Sequence, residues 1–185
     1  MKTAICIASG TSLTKEDVDY CKGKAFVYVI NTTYKLAPWA DVLYACDEEW
    51  WDYHKPDFAG QRWTINEKAA DRYNLNIIGY DSSAKFCESE IIATGNNSGF
   101  QAINLAYLQG FRRILLLGYD FKDSGNHWHG KHPSALSKSP DMRRWIKHMN
   151  DAAPIMESLG LEVVNCSRDS DINCFRKSVI TDEIY

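Results

Sequence analysis

Apolar and polar positions alternate in blocks along this chain, and the blocks predict its elements. Residues 4–8 form a short apolar run that predicts a first strand. Ser9, Gly10, Thr11 and Ser12 follow as a small polar turn. Thr14 and Asp17 have the spacing of a capping box and open a short helix toward Cys21. Residues 25–30 and 41–46 predict two more strands, ending at Asn31 and Asp47. Residues 48–54 predict an aromatic helix, 63–65 a strand and 67–73 a helix. Residues 76–79 and 90–94 are further strand candidates.

The most informative stretch is 95–121. Ala102, Ile103, Ala106 and Tyr107 recur at helical spacing, and Gly110 suits the helix stop. Residues 114–117 are continuously apolar, which predicts a strand covered on both faces. Residues 122–140 read as a long irregular, lid-like loop. Pro140 and Asp141 then start a helix that runs to about Leu159, with Gly160 as its stop. Residues 161–166 predict a last core strand, and the tail from Ser167 reads as a polar surface wrap. Strands alternating with helices predict an α/β fold: one Rossmann-like domain over residues 1–185, a mainly parallel sheet with helices on both faces.

Length and charge narrow the function. The chain has 185 residues and a formal net charge of -3, so no global basic field exists to hold duplex nucleic acid. Six cysteines are present, but Cys6, Cys46 and Cys166 lie in or beside apolar runs, and no CxxC pair occurs. Reduced thiols and a cytoplasmic setting are the expectation. No apolar run has the length of a signal peptide core or a membrane span.

The candidate chemistry collects at predicted strand exits, where ligands sit in open α/β sheets. Exposed amides in the turn of Ser9, Gly10, Thr11 and Ser12 favour a phosphate, although the dinucleotide and Walker glycine patterns are absent. A plain tight turn is the competing reading. Asn31 offers a donor and an acceptor, and Asp47 can accept from ribose hydroxyls; Asx turns are the alternative for both. Asn97 or Ser98 caps the central helix, and Gly99 allows close approach of a ligand. Tyr119 and Asp120 emerge at the next strand exit. His127, His129 and His132 crowd the irregular loop, where an imidazole suits a general base. Their register, interrupted by Gly130 and Pro133, argues against a metal site, and none is assigned. Trp128 and Lys131 are placed to close over a ligand. Trp50, Trp51 and Tyr53 suit packing under a helix or at a subunit contact.

Two segments resemble a known family. IASGTSL at the first turn and NSGFQAINLAYLQGFRRILLLGYDF in the centre are similar to the bacterial sialyltransferases of glycosyltransferase family 42 and to the motility-accessory-factor (DUF115) proteins. Asn31 stands where the family has an asparagine after the second strand. A stand-alone chain of this size also resembles bacteriophage members. The resemblance implies a Rossmann-like transferase that binds a CMP-activated sugar as substrate, with no further cofactor and no essential metal. It implies that Ser9, Gly10, Thr11, Asn31, Asn97, Ser98 and Gly99 hold the cytidine monophosphate. It also implies a homo-oligomer, for which the segment around Trp50 is the candidate contact. The family base is a histidine before the last long helix; aligning SKSPDMRRWI with that helix start puts Leu136 at its position, with His132 nearby.

The first expectation is therefore a glycosyltransferase-like enzyme moving a sugar to a glycan or other hydroxyl acceptor. Its catalytic candidates are His132, His129 and Asp120; Ser12, Asp47 and Tyr119 join the nucleotide contacts. A nucleotide-capturing phage protein without turnover is the alternative. A diphosphokinase of the kind related to DUF115 proteins, with Asp47 and Asp120 on magnesium, is the second.

Overall fold

The computed structural model describes residues 1–83, 85–122, 127–130, 136 and 141–185. His132, Lys131 and most of the lid-like loop predicted at 122–140 lie outside the described residues. The strands are β1 (Thr3–Ile7), β2 (Phe26–Ile30), β3 (Val42–Tyr44), β4 (Gln61–Thr64), β5 (Asn76–Ile77), β6 (Gly79–Asp81), β7 (Ile91–Ala93), β8 (Arg113–Leu117), β9 (Glu162–Asn165) and β10 (Arg176–Lys177). The α-helices are α1 (Lys15–Tyr20), α2 (Glu48–His54), α3 (Glu67–Tyr73), α4 (Ser98–Leu108), α5 (Met142–Ser158) and α6 (Ile180–Glu183).

Among the described residues, eight strands form one sheet in the order β10-β9-β8-β1-β2-β3-β4-β5. Every pair in it is parallel. Parallel strands need cover on both faces, which explains runs such as FVYVI and RILLL. Alternate side chains go to opposite layers. Cys6, Tyr28, Tyr44 and Leu116 pack with Phe100, Ile103 and Ala106 of α4 and with Met149, Ala152 and Met156 of α5. Ile5, Ile7, Val29, Leu43 and Leu117 pack with Val18 of α1, Trp50 and Trp51 of α2, Ala69 of α3 and Ile180 of α6. The fold is thus the α/β, Rossmann-like architecture that the alternation of blocks predicts.

Local chemistry sets the helix ends. Thr14 Oγ1 accepts from Asp17 N at 3.2 Å, while the Asp17 carboxylate is bound by Arg168 at 2.7 and 2.9 Å. Asn66 caps α3 and Asn97 caps α4. Asp141 caps α5 through Arg144 N, and α5 runs on through Pro154.

Three expectations change. The strand predicted at 76–79 is two strands, because Ile78 separates β5 on the large sheet from β6, which pairs with β7. The tail from Ser167 is not a surface wrap: it supplies β10 and α6, and Ile172, Phe175, Ile180 and Ile184 are buried. Those apolar residues stand singly or in pairs among polar ones, so the composition hides them. Trp50 and Trp51 face inward rather than forming a contact surface. Trp51 is 1% exposed, donates its indole N–H to Ala45 O at 3.1 Å, and meets Trp50 edge-on. No helix among the described residues is long and apolar enough to cross a membrane.

Trp51→Ala is expected to cost roughly 3–5 kcal/mol in urea unfolding. Tyr53→Ala, at a site 54% exposed, should stay within about 0.5 kcal/mol. Glu183 gives a second test. Hydrogen bonds from Arg176, with Arg113 nearby, hold its carboxyl down to about 2 from an ordinary 4.5. Its folded value is depressed, so its stabilisation is complete above about 4.5 and lost as pH falls toward 2. Melting curves across that window should show a shallower acid loss for Glu183→Gln than for the wild type.

Candidate functional site

From β1 the chain steps outward through β2, β3, β4 and β5, then returns to place β8 on the other side of β1. The carboxyl ends of β1 and β8 are therefore the topological switch point, the usual crevice of open α/β sheets. After β1 the chain leads to α1 on one face; after β8 it leads toward α5 on the other.

Two glycines let these exits touch. Gly118 has φ +67°, and a Cβ there would lie 2.6 Å from Ala8 O. Gly10 N–H donates to Gly118 O at 2.8 Å, and a Cβ on Gly10 would overlap the Asp120 carboxylate, 2.6 Å from Oδ2. Asp120 is 4% exposed. Its Oδ2 accepts from Ser12 N at 2.7 Å and from Thr11 Oγ1 at 3.4 Å; its Oδ1 accepts from Ser12 Oγ at 2.6 Å. Ser9, Gly10, Thr11, Ser12 and Asp120 are thus one cluster.

The exit of β2 joins it. Ile7 pairs in register with Val29, so Ser9 and Asn31 leave neighbouring strands at the same level. Asn31 has φ +51° and opens a 3-10 helix over Asn31–Lys35. Its side chain is half-buried and makes no hydrogen bond to another described residue. Thr33 Oγ1 donates to Ala8 O at 3.2 Å and accepts from Trp128 Nε1 at 3.4 Å.

Residues 127–130 form a tight turn docked on this rim. His127 N–H donates to Gly130 O at 3.0 Å and Gly130 N–H to His127 O at 2.9 Å. Trp128 N–H donates to Ser9 O at 3.1 Å. Ser9 Oγ lies 3.0 Å from His127 Nδ1. The His127 and His129 rings stack at 5.1 Å and 13°, with Trp128 edge-on to His129. Of the sequence candidates, His129 is one ring away from this Ser9 contact. His127, which sequence reasoning had left as the third histidine, makes it.

The start of α4 is built differently. Asn97 Oδ1 accepts from Phe100 N at 3.1 Å, so its cap role is filled. Ser98 is buried, with Oγ 3.1 Å from Cys46 Sγ. A Cβ on Gly99 would lie 2.9 Å from Tyr119 Cε1, and Tyr119 OH donates to Gly99 O at 3.0 Å. Gly99 thus admits the Tyr119 ring. Tyr119 is fully buried; burial pushes its phenol well above 10 and the neighbouring Cys6 thiol up to about 12. Both are neutral packing groups. Asp47 is exposed and starts α2 with its backbone carbonyl accepting from Trp50 N.

His148 was missed altogether. Its Nδ1 lies 2.8 Å from Gly95 O, and a carbonyl only accepts, so that nitrogen carries the proton. The spacing of Trp145, His148, Met149 and Ala152 is the signal that places it on the inward stripe of α5. Trp145 also meets Phe121, which stacks on Tyr119.

A separate open groove of about 580 Å³ lies between α5, the start of β9 and Phe175 with Arg176, and none of the predicted site residues line it. Among the described residues, no three metal-ligating side chains cluster to hold an ion.

The chain is thus a doubly wound α/β protein with a polar rim at its switch point. No protein-family model matches it. No curated protein matches it in sequence. Among solved structures it is similar to the sialyltransferase CstII from Campylobacter jejuni, in complex with the substrate analogue CMP-3FNeuAc. That likeness has a TM-score of 0.59 at 11% identity, over 96% of this chain and 86% of the other. At this identity it carries the fold.

Gly10→Ala should destabilise by about 1–3 kcal/mol, since the new methyl overlaps the Asp120 carboxylate. In a double-mutant cycle by urea unfolding, Gly10→Ala with Asp120→Ala should cost less than the sum of the two.

Proposed function

We propose that the protein is a glycosyltransferase-like enzyme. It moves a sugar from a CMP-activated donor to a hydroxyl acceptor, without an essential metal and with a histidine base. The observation that carries this reading is the Ser9–His127 contact at the switch point, level with Asn31. The fold likeness to a protein solved with a CMP-sugar analogue supports it.

The exits of β1, β2 and β3 are neighbours, so Ser9, Asn31 and Asp47 span roughly 10 Å at about 4.8 Å per strand. That suits a nucleoside monophosphate lying along the rim toward Ser98. The acceptor hydroxyl attacks the anomeric carbon, the bond from that carbon to the phosphate oxygen breaks, and CMP leaves. His127, oriented by Ser9, takes the hydroxyl proton. His129 and His132 are the alternative bases in the same segment. Asp120 acts here by shaping the turn. The proposal includes a reducing cytoplasm, a place among small phage members, and assembly into a homo-oligomer. All six cysteines are free, and burial pushes those at Cys6, Cys21 and Cys166 to about 12, which keeps them protonated.

A nucleotide-capturing role without turnover is the second reading. It is favoured by how many polar groups, Asp120, Tyr119 and Asn97 among them, are spent inside the fold. The diphosphokinase reading fares worse. Asp47 and Asp120 follow β3 and β8, three strand spacings or roughly 14 Å apart, too far to share one magnesium ion.

Thermal-shift titration tests the proposal. CMP at about 100 times its Kd should stabilise the protein by about 2.7 kcal/mol, and Asn31→Ala should weaken that response. His127→Ala should keep CMP binding and lose transfer from a CMP-sugar. Stabilisation by an unrelated nucleotide alone, or transfer undiminished in His127→Ala, would sink it.

A further inference from the structure

The 9–12 turn has the place of an anion cradle, yet its donors are already committed. Gly10 N–H donates to Gly118 O, Leu13 N–H to Gly10 O, and Ser12 N–H to Asp120 Oδ2. The hydroxyls of Ser12 and Thr11 also donate to that carboxylate. We infer that the Asp120 carboxylate is a built-in anion that closes the turn to phosphate, so that a nucleotide is seated with its phosphate off the turn amides.

Three observations converge. The carboxylate sits against the Cα of Gly10, in space that a methyl could not share. It is nearly fully buried, so an incoming phosphate would have to expel it from three donors and meet it at close range. The first turn of α1 adds Glu16 and Asp17, a further acidic pair at the same end. Among the described residues, Arg168 is paired with Asp17, and Lys122, two residues beyond Asp120, pairs with Asp169 and feels the Asp120 charge only as a secondary partner. Asp120 is therefore a specificity-determining group, which excludes the anionic end of a ligand from one part of the rim. Among the described residues, Ser9 Oγ and the Asn31 side chain are level with the turn, beside His127 and Thr33.

This inference rests on the nucleotide reading for its ligand class, but inorganic phosphate tests it independently. Amide spectra of the full chain labelled with nitrogen-15 are followed as phosphate is added. In the wild type the Gly10, Ser12 and Leu13 amides should not move. In Asp120→Asn, which keeps an acceptor for Ser12 N–H and removes the charge, the Ser12 amide should shift saturably, with phosphate affinity at least about tenfold higher, a gap of about 1.4 kcal/mol. A saturable Ser12 shift in the wild type overturns the inference. So does a folded Asp120→Asn protein that gains no response. Should that variant fail to fold, the wild-type titration, repeated with CMP, still decides: an unmoved Ser12 amide upholds the closure and a saturable shift refutes it. CMP binding is read separately by melting temperature, so its absence counts against the nucleotide reading and not against closure of the turn.

Discussion

The pairing of β1 with β8 is the constraint on which the rest of the molecule depends. Beyond their first residues, Thr3 and Arg113, both strands are apolar and buried on both faces, so they are stable only between two helical layers. β1 is followed by a helix on one layer, and β8 leads toward a helix on the other. Their exits therefore part at the carboxyl edge, and a crevice opens there without any loop being shaped for it. Gly10 and Gly118 are needed because two diverging backbones approach each other before they separate.

Under that crevice lies a polar layer that is satisfied from within. Tyr119 N–H donates to Ser167 Oγ, Ser170 Oγ–H to Tyr119 O, and Asn165 Nδ2 to Ser170 Oγ. Asp120 O accepts from Asp171 N in the same region. Buried polar groups must be paired, and a paired network holds one geometry. The segment 118–120 is thereby fixed on both sides, by the β9 exit and by the 9–12 turn. Such fixed support is what a precise site requires beneath it. Ser9, Asn31 and His127, the groups that the proposed function uses, lie at the neighbouring strand exits.

Much of the fold was legible because it rests on periodicity. The runs at 4–8, 25–30 and 114–117, and the helical spacing around Ala102 and Ile103, report burial directly. The same logic fails where apolar residues are sparse: Ile172, Phe175 and Ile180 are core anchors in a polar tail, and no local pattern marks them. The site was legible as strand exits but not as partners. Asp120 was read as a reactive group because its charge is visible in sequence, whereas its donors lie 108 and 109 positions away. His127 and His129 were indistinguishable by spacing; only docking of their turn through Trp128 puts one of them on Ser9. Gly99 was read as room for a ligand, and it is room for the Tyr119 ring.

The weakness of the sequence likeness beside the strength of the fold likeness follows from the same physics. A core position in a doubly wound sheet asks only for an apolar side chain of fitting volume, so many sequences satisfy it. A ligand site asks for particular donors and acceptors at fixed separations, and few substitutions preserve it. Shared architecture therefore says where a ligand would sit and almost nothing about what it is. In the proposed reading the answer lies in a handful of atoms on the rim: the Ser9 hydroxyl, the Asn31 amide and the His127 imidazole. Beside them stands a carboxylate that faces its own backbone. Asp120, a buried acid, is spent on shaping a turn, so in the proposed reading proton transfer falls to imidazole, and the histidine segment, rather than Asp120, is where that proposal stands or falls.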